Sequence, residues 1–358
     1  MIALLEWLWF VLLLILTGYY LLIFRRKPDA RMIPILDWPG VSIIIAHKND
    51  TEGLSLNLAL IQKQDYPLFE IIIIDDHSNT QQKMILEETV RNYSKARLLF
   101  NEQVGKKHAI TLGVQNAEYQ LILCTDADCK PASDHWIKKM VEAGRGDVVL
   151  GYSPVDKKKG WLNMLVRFET VCTGMNYMSW AKSGKPYMGV GRNLLYPRSL
   201  FLKTSPYKSY YSVPYGDDDL LVQKFDEHAR IKTCDDPLSF IVTEGPDSWG
   251  HWFKQKHRHL SAGHYYKKAS WWQPGLFGIA LTGHWIILLF LLLFSFWWKW
   301  VPVFLIGIFI RWFIYSRWTN ILGDKDTVRW YPLLELNYAI YLGSMGLYTM
   351  FNRKKTWN

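Results

Sequence analysis

Three groups of acidic residues carry most of the chemistry this sequence offers. Asp75-Asp76 and Asp126-Ala127-Asp128 each follow a short run of aliphatic residues, and Asp217-Asp218-Asp219 forms a triplet later in the chain. A single Asp after a strand is ordinary, because turns and helix caps favour it. Two acidic clusters at two strand ends are different: they crowd carboxylates into one crevice, where they repel each other unless a cation sits among them. Carboxylate oxygens together with a substrate diphosphate make a regular site for Mg²⁺ or Mn²⁺. Asp126 and Asp128 are therefore the candidate metal ligands.

The elements that must position these clusters alternate. Residues 41–45, 70–74, 97–100 and 121–124 read as buried strands, and residues 54–64, 82–92 and 106–116 read as helices. Strands covered on both faces look like such continuous apolar runs. Alternation with helices predicts an α/β domain with a doubly wound, mainly parallel sheet. Ligands bind such sheets beyond the carboxyl ends of the strands, where the acidic clusters stand. His47 and Asp50, after the first strand, face the same region. No GxxxxGK[ST] and no GxGxxG follows a strand, which removes the P-loop and dinucleotide readings.

Composition narrows the class. Of 358 residues, 49% are hydrophobic, and they concentrate in the first 24 residues and after position 275. The formal charge is +10, but Lys and Arg lie beside the apolar runs and many of the 18 Trp lie at their ends. That is the pattern of cytoplasmic loops and interfacial belts. Without zinc-finger spacing or an aromatic RNA-binding motif, no nucleic-acid partner is expected. Cys124, Cys129, Cys172 and Cys234 form no CxxC pair and read as small hydrophobes in a reducing compartment. His251, His257, His259 and His264 share no helical face, so no zinc is assigned.

Residues 3–24 are long enough to cross a bilayer at ~1.5 Å rise per residue. The run contains Glu6 and ends in Arg25-Arg26-Lys27, unlike a cleaved signal peptide. It reads as a permanent anchor with its C-terminal end in the cytoplasm. Residues 276–298 form a second span. Residues 301–315, with Arg311, and 331–351, with Pro332, Glu335 and Asn337, are candidates for further ones. Arg353-Lys354-Lys355 favours two such spans over three, leaving one segment re-entrant or interfacial. The expected layout is an anchor over 1–27, a cytoplasmic catalytic domain over 38–270 and a membrane region over 275–358. Within the domain, Trp161, Leu165, Phe168, Cys172, Met175 and Met178 share one helical face after Lys157-Lys158-Lys159. That segment, 157–180, reads either as a helix on the domain core or as one lying in the membrane interface.

Taken in order, the motifs resemble family 2 glycosyltransferases of the GT-A fold, from Val41 to about Gly263. The strand from Val41 to Asp50 is similar to the family's first nucleotide-contacting strand, and Asp75-Asp76-His77-Ser78 to its second motif. Gly105-Lys106-Lys107-His108-Ala109 resembles the Gly-Lys turn before the metal motif, and Asp126-Ala127-Asp128 stands where DxD stands. Gly189-Val190-Gly191-Arg192-Asn193 resembles the segment beneath the transferred sugar and acceptor. Gly216-Asp217-Asp218-Asp219-Leu220 occupies the position of the motif holding the catalytic base. Gln255-Lys256-His257-Arg258-His259 is similar to Q-x-x-R-W, with His259 where the family has Trp.

The resemblance implies one displacement at an anomeric carbon, with inversion. It implies a nucleotide-diphosphate sugar as donor and Mg²⁺ or Mn²⁺ on Asp126 and Asp128. His47, Asp50, Asp75, Asp76 and Lys106 would serve the nucleotide, with Gln255 and Arg258 at the diphosphate. Gly189, Gly191 and Asn193 would line the sugar and acceptor pocket. Asp218 is favoured as base, because Asp217 and Asp219 crowd it and raise its pKa; it also reads as a helix N-cap. The missing Trp and the few later spans favour transfer of one sugar to a lipid or lipid-linked glycan acceptor at the cytoplasmic face of the inner membrane. The alternatives are a processive polysaccharide synthase subunit, a nucleotide-sugar sensor or scaffold, and a membrane nucleotidyltransferase.

Overall fold

The computed structural model describes residues 1–25, 35, 37–144, 146–213, 215–294 and 297–352. Arg26, Lys27, Arg353, Lys354 and Lys355, used above to set orientation, lie outside the described residues, as does the side chain of His264. The first part of the chain runs α1 (Ile2–Gly18), β1 (Val41–His47), α2 (Thr51–Gln62), β2 (Phe69–Asp75), α3 (Thr80–Arg91), β3 (Ala96–Phe100) and α4 (Lys106–Asn116). Then follow β4 (Leu121–Asp126), β5 (Cys129–Pro131), α5 (Trp136–Gly144), β6 (Val148–Leu150), α6 (Trp161–Lys182), β7 (Leu194–Pro197) and α7 (Arg198–Thr204). The rest comprises α8 (Asp219–Phe225), β8 (Ile231–Thr233), β9 (Ile241–Thr243), α9 (Trp249–Ala262), α10 (Lys268–Phe294), α11 (Val301–Leu322) and α12 (Tyr331–Phe351).

The chain divides into two compact units. A helical unit takes Met1–Pro28, Lys157–Lys185 and Pro246–Lys354, and a sheet unit takes Asp29–Asp156 and Pro186–Gly245. The division differs from the expected domain borders, because α6 and α9 group with the apolar helices.

In the sheet unit, seven strands lie in the order β3-β2-β1-β4-β7-β6-β8. β1, β2, β3 and β4 are parallel, while β7 runs antiparallel to β4 and β6. The Val/Ile/Leu runs of β1, β2 and β4 are buried along nearly their whole length, as a sheet covered on both faces demands. Leu54, Leu58 and Ile61 of α2 and Trp136, Met140 and Val141 of α5 fill one layer of the core against Ile43, Ile45, Ile71, Ile73 and Leu123. Helix starts are capped: Asp50 accepts from Gly53 N at 3.3 Å and Asn79 from Gln82 N at 2.9 Å. Each of the four parallel strands is longer than its apolar run suggests, so His47, Asp75 and Asp126 are the last residues of β1, β2 and β4 rather than loop residues.

Among the described residues, three helices of the helical unit are long and apolar enough to cross a membrane: Ile2–Ile23, Trp272–Phe294 and Val301–Leu322. The third continues past residue 315, which makes it longer than its apolar core implied; α12 falls outside the set. Arg311 of α11 is fully buried and pairs with Glu335 of α12 through Nε–Oε1 at 2.8 Å and Nη2–Oε2 at 2.9 Å. Trp285 Nε1 and Tyr331 Oη donate to the same carboxylate at 3.3 and 2.7 Å. A charge in such a helix is tolerated when paired in this way. α6 does not present a single apolar stripe. Val166, Val171, Tyr177 and Ala181 are buried as well as Leu165, Phe168 and Met175, so the helix is enclosed within its unit. Its Arg167 holds Asp324 and Asp326, and Lys157 pairs with Asp326 at 3.0 Å rather than standing free.

Candidate active site

Register brings His47, Asp75 and Asp126 together at the carboxyl ends of β1, β2 and β4. His47 lies beside Asp75 across β1 and β2, and Ala46 lies beside Asp126 across β1 and β4. His47 Nδ1 is 3.4 Å from both Asp75 Oδ1 and Ser78 Oγ, and its Nε2 accepts from Asp50 N at 3.3 Å. Asp76 accepts from Asn101 Nδ2 and from Gly105 N, both at 2.9 Å. His47, Asp75 and Asp76 are all buried. Each therefore has a structural duty besides any contact with a nucleotide, as does Asp50 in capping α2. The loops after β1 and β2 are tied to each other, Asn49 N to Ser78 Oγ at 2.9 Å and Asn79 N to Asn49 Oδ1 at 2.8 Å. Asn49 and His77 hold left-handed backbone, with φ of 57° and 62°, a strain that persists where surroundings enforce it.

Gly105, at φ 128°, makes the turn that starts α4 and aims Lys106 across the sheet edge. Lys106 Nζ lies 2.7 Å from Asp126 Oδ1 and 3.0 Å from Asp217 Oδ2, so one ammonium joins two acidic motifs ninety residues apart in sequence. Burial opposes the charge on Lys106, but Asp126 and Asp217 outweigh it and hold its pKa well above the usual lysine value.

Asp126, Asp128 and Cys129 place donor atoms within 4.8 Å of one another, the single such group among the described residues. The residues fit a divalent cation in part. Asp126 is partly exposed and Asp128 exposed, leaving carboxylate oxygens open toward a ligand. Cys129 fits poorly: it is fully buried, its thiol donates to Asp128 Oδ1 at 3.3 Å, and burial pushes its pKa well up. A protonated thiol is a weak ligand for a hard cation, so the carboxylates are the donors.

The acidic triplet is held from several sides. Lys107 Nζ donates to the carbonyls of Val213 and Tyr215 at 2.5 and 2.9 Å, and Tyr207 Oη to that of Asp217 at 2.7 Å. Asp218 caps α8: Oδ1 accepts from Asp219 N at 2.9 Å and Oδ2 from Gly191 N at 3.1 Å. The approach is close: a Cβ on residue 191 would stand 3.2 Å from that of Asp218. Burial and the neighbouring charge of Asp217 raise the Asp218 pKa. For Asp217 burial acts in the same sense, but Lys106 and Lys107 outweigh it and lower the value. Two adjacent carboxylates thus have their proton affinities pushed apart. Asp219 is buried in the first turn of α8.

Gly189 packs between Leu150 and Val222. Asn193 is fully buried: its Oδ1 accepts from Trp136 Nε1 at 3.0 Å and its Nδ2 donates to Tyr152 O and Ser239 O at 2.8 and 2.9 Å. Its amide braces the segment, which differs from the pocket-lining role the motif suggested. Gln255 and Arg258 lie half-buried on α9 of the helical unit. There Glu169 of α6 anchors the helix through Lys256 at 2.8 Å and Trp252 Nε1 at 3.3 Å. Lys107, Tyr207, Asn101 and Glu169 were not picked out as functional in sequence. Their partners are carbonyls, carboxylates and ring or ammonium donors brought to them by the fold, and no linear spacing signals them.

Residues 42–202 match the family model described as "Glycosyl transferase family 2". Curated relatives include the poly-beta-1,6-N-acetyl-D-glucosamine synthase of Staphylococcus epidermidis, 22% identical over 262 residues, 70% of this chain and 62% of the relative. The enzyme of the same name from Staphylococcus aureus strain COL is 23% identical over 248 residues, 67% of this chain and 58% of the relative. The chain thus spans about three fifths of the length of these relatives. Among solved structures, a mannosyltransferase from Pyrobaculum calidifontis in complex with GDP-Man and Mn²⁺ covers 92% of this chain and 96% of its own. Its TM-score is 0.60 at 16% identity, a likeness of fold.

Proposed function

We propose that this chain, which carries a family 2 glycosyltransferase domain on a GT-A fold, transfers a single sugar, with inversion, from a nucleotide-diphosphate sugar to a lipid or lipid-linked acceptor. One observation carries the reading: Lys106 bridges Asp126 of the metal-type carboxylate pair and Asp217, whose neighbour Asp218 has raised proton affinity.

In this reading Asp126 and Asp128 hold Mg²⁺ or Mn²⁺. When bound, such an ion neutralises charge on the departing diphosphate. Asp218 accepts the proton of the acceptor hydroxyl as its oxygen bonds to the anomeric carbon; the bond from that carbon to the diphosphate oxygen breaks, and the diphosphate leaves with the electron pair. Asp218 suits this role because its raised pKa makes it a stronger base than an ordinary Asp, while N–H donors fix its orientation. Asp217 stays ionised and keeps Lys106 in place, and Asp219 supports the turn. His47, Asp50, Asp75 and Asp76 shape the nucleotide end, with Gly189 and Gly191 giving backbone close to the sugar. From the Q-x-x-R-W resemblance, Gln255 and Arg258 would neutralise diphosphate, a guanidinium being able to do so bidentately. Three helices long and apolar enough to span support a reaction at a membrane, in our reading the cytoplasmic face of the inner membrane.

A second reading is favoured by the curated relatives, which are named as polysaccharide synthases: the chain is a synthase subunit that adds many sugars. Product length separates the two. The test is turnover of a panel of nucleotide sugars by the detergent-purified chain, compared with Asp128→Ala and Asp218→Asn. The reading expects one donor to be cleaved, EDTA to abolish it, and both variants to lose at least ~10²-fold. Donor binding without turnover under any acceptor would point instead to a sensor.

A further inference from the structure

Two exposed arginines of the helical unit share one groove and, among the described residues, have no acidic partner. Arg167, Arg311, Lys157 and Lys256 all hold carboxylates. Arg25, just past the end of the first helix, and Arg317 of α11 are exposed, and among the described residues neither has an ion-pair or hydrogen-bond partner. Both line one groove of about 870 Å³, whose walls include Leu21, Phe24, Phe313 and Trp318. That volume lies in the ~300–1,000 Å³ range of ligand sites.

The groove is built rather than incidental. The last turn of the first helix widens to a π turn over Tyr19–Ile23, a rare form that is frequent at functional sites. The carbonyl of Phe24, left over where the helix stops, accepts from Trp318 Nε1 at 2.8 Å. That bond joins the end of the first helix, next to Arg25, to the last turns of α11, next to Arg317. Arg317 sits inside a helix long and apolar enough to span. An unpaired guanidinium there meets lipid, and the anion lipid supplies is a phosphate.

We propose that this groove binds one anionic phospholipid, with its phosphate between Arg25 and Arg317 and an acyl chain along Leu21, Phe24 and Phe313. A net negative headgroup is selected because it brings no ammonium against the two arginines. The inference rests on membrane placement of the two helices and not on the sugar-transfer chemistry.

The test is native mass spectrometry of the full chain from detergent, with added phosphatidylglycerol or phosphatidylcholine. One retained phosphatidylglycerol per chain is expected, at least about ten-fold over phosphatidylcholine. Arg317→Gln should lower it about ten-fold, Arg317→Lys less, and Arg329→Gln, which removes a charge elsewhere on the unit, not at all. Ile314→Trp, which narrows the apolar wall and keeps both arginines, should also lower it. Equal retention of both lipids, equal retention by Arg317→Gln, protection by inorganic phosphate alone, or a second copy of the chain in place of lipid would each overturn the proposal. Should Arg317→Gln fail to fold, the lysine and Ile314 variants decide. Carbonate extraction of membranes separates the two premises: a chain that stays in the pellet but retains no lipid defeats the site alone.

Discussion

At the residue scale, the account turns on two neighbouring aspartates made unlike. Asp218 is pushed up by burial and by Asp217, while Lys106 and Lys107 hold Asp217 down. A base must be deprotonated to act, so activity is present above the Asp218 pKa and is lost as pH falls through it. The acid limb of kcat/KM is therefore expected above ~3.9, the value of an ordinary Asp. Asp217→Asn removes the second cause of the shift and should move that limb to lower pH while leaving the part due to burial. A limb that stays in place in a pH–rate profile of Asp217→Asn would show that Asp217 does not tune the base. The acidic motifs were legible in sequence because their residue types stand out at strand ends. Their supports were not: Asn193, grouped with the sugar pocket, proves to be a fully buried brace, and Lys107 does its work on two distant carbonyls.

At the element scale, the strands and helices of the sheet unit follow from apolar runs and caps, and the helix over 106–116 lies where its pattern put it. Strand ends were less visible, since hydrogen bonding carries β1, β2 and β4 through polar residues that no hydropathy pattern includes. In the helical unit the sequence showed an apolar stripe on α6 but not the neighbours that enclose its other side. The buried Arg311–Glu335 pair is equally silent in sequence, where Arg311 only made its span look doubtful. Removing one partner leaves a charge buried without compensation, a loss of about 3–5 kcal/mol, whereas replacing both by apolar groups is often nearly neutral. Arg311→Leu and Glu335→Leu should each lower the thermal midpoint in detergent, and the double variant should recover most of it. Additive losses in that double-variant cycle would mean the pair is not coupled.

At the scale of the whole molecule, three span-length helices among the described residues and a sheet unit with acidic strand ends are what support the proposal of sugar transfer at a membrane surface. Composition already divided the chain into apolar ends and a polar middle. It did not assign α6 and α9 to the helical unit, because membership depends on packing partners rather than on mean hydropathy. The central claim is that Asp126 and Asp128 hold a divalent ion and, with it, a nucleoside diphosphate. Calorimetric titration of the full chain with UDP and GDP, in Mn²⁺ and in EDTA, tests it most directly. The account predicts binding of one nucleotide in Mn²⁺, at least about ten-fold weaker in EDTA and in Asp126→Ala/Asp128→Ala. Undiminished affinity in EDTA or in that double variant would contradict it.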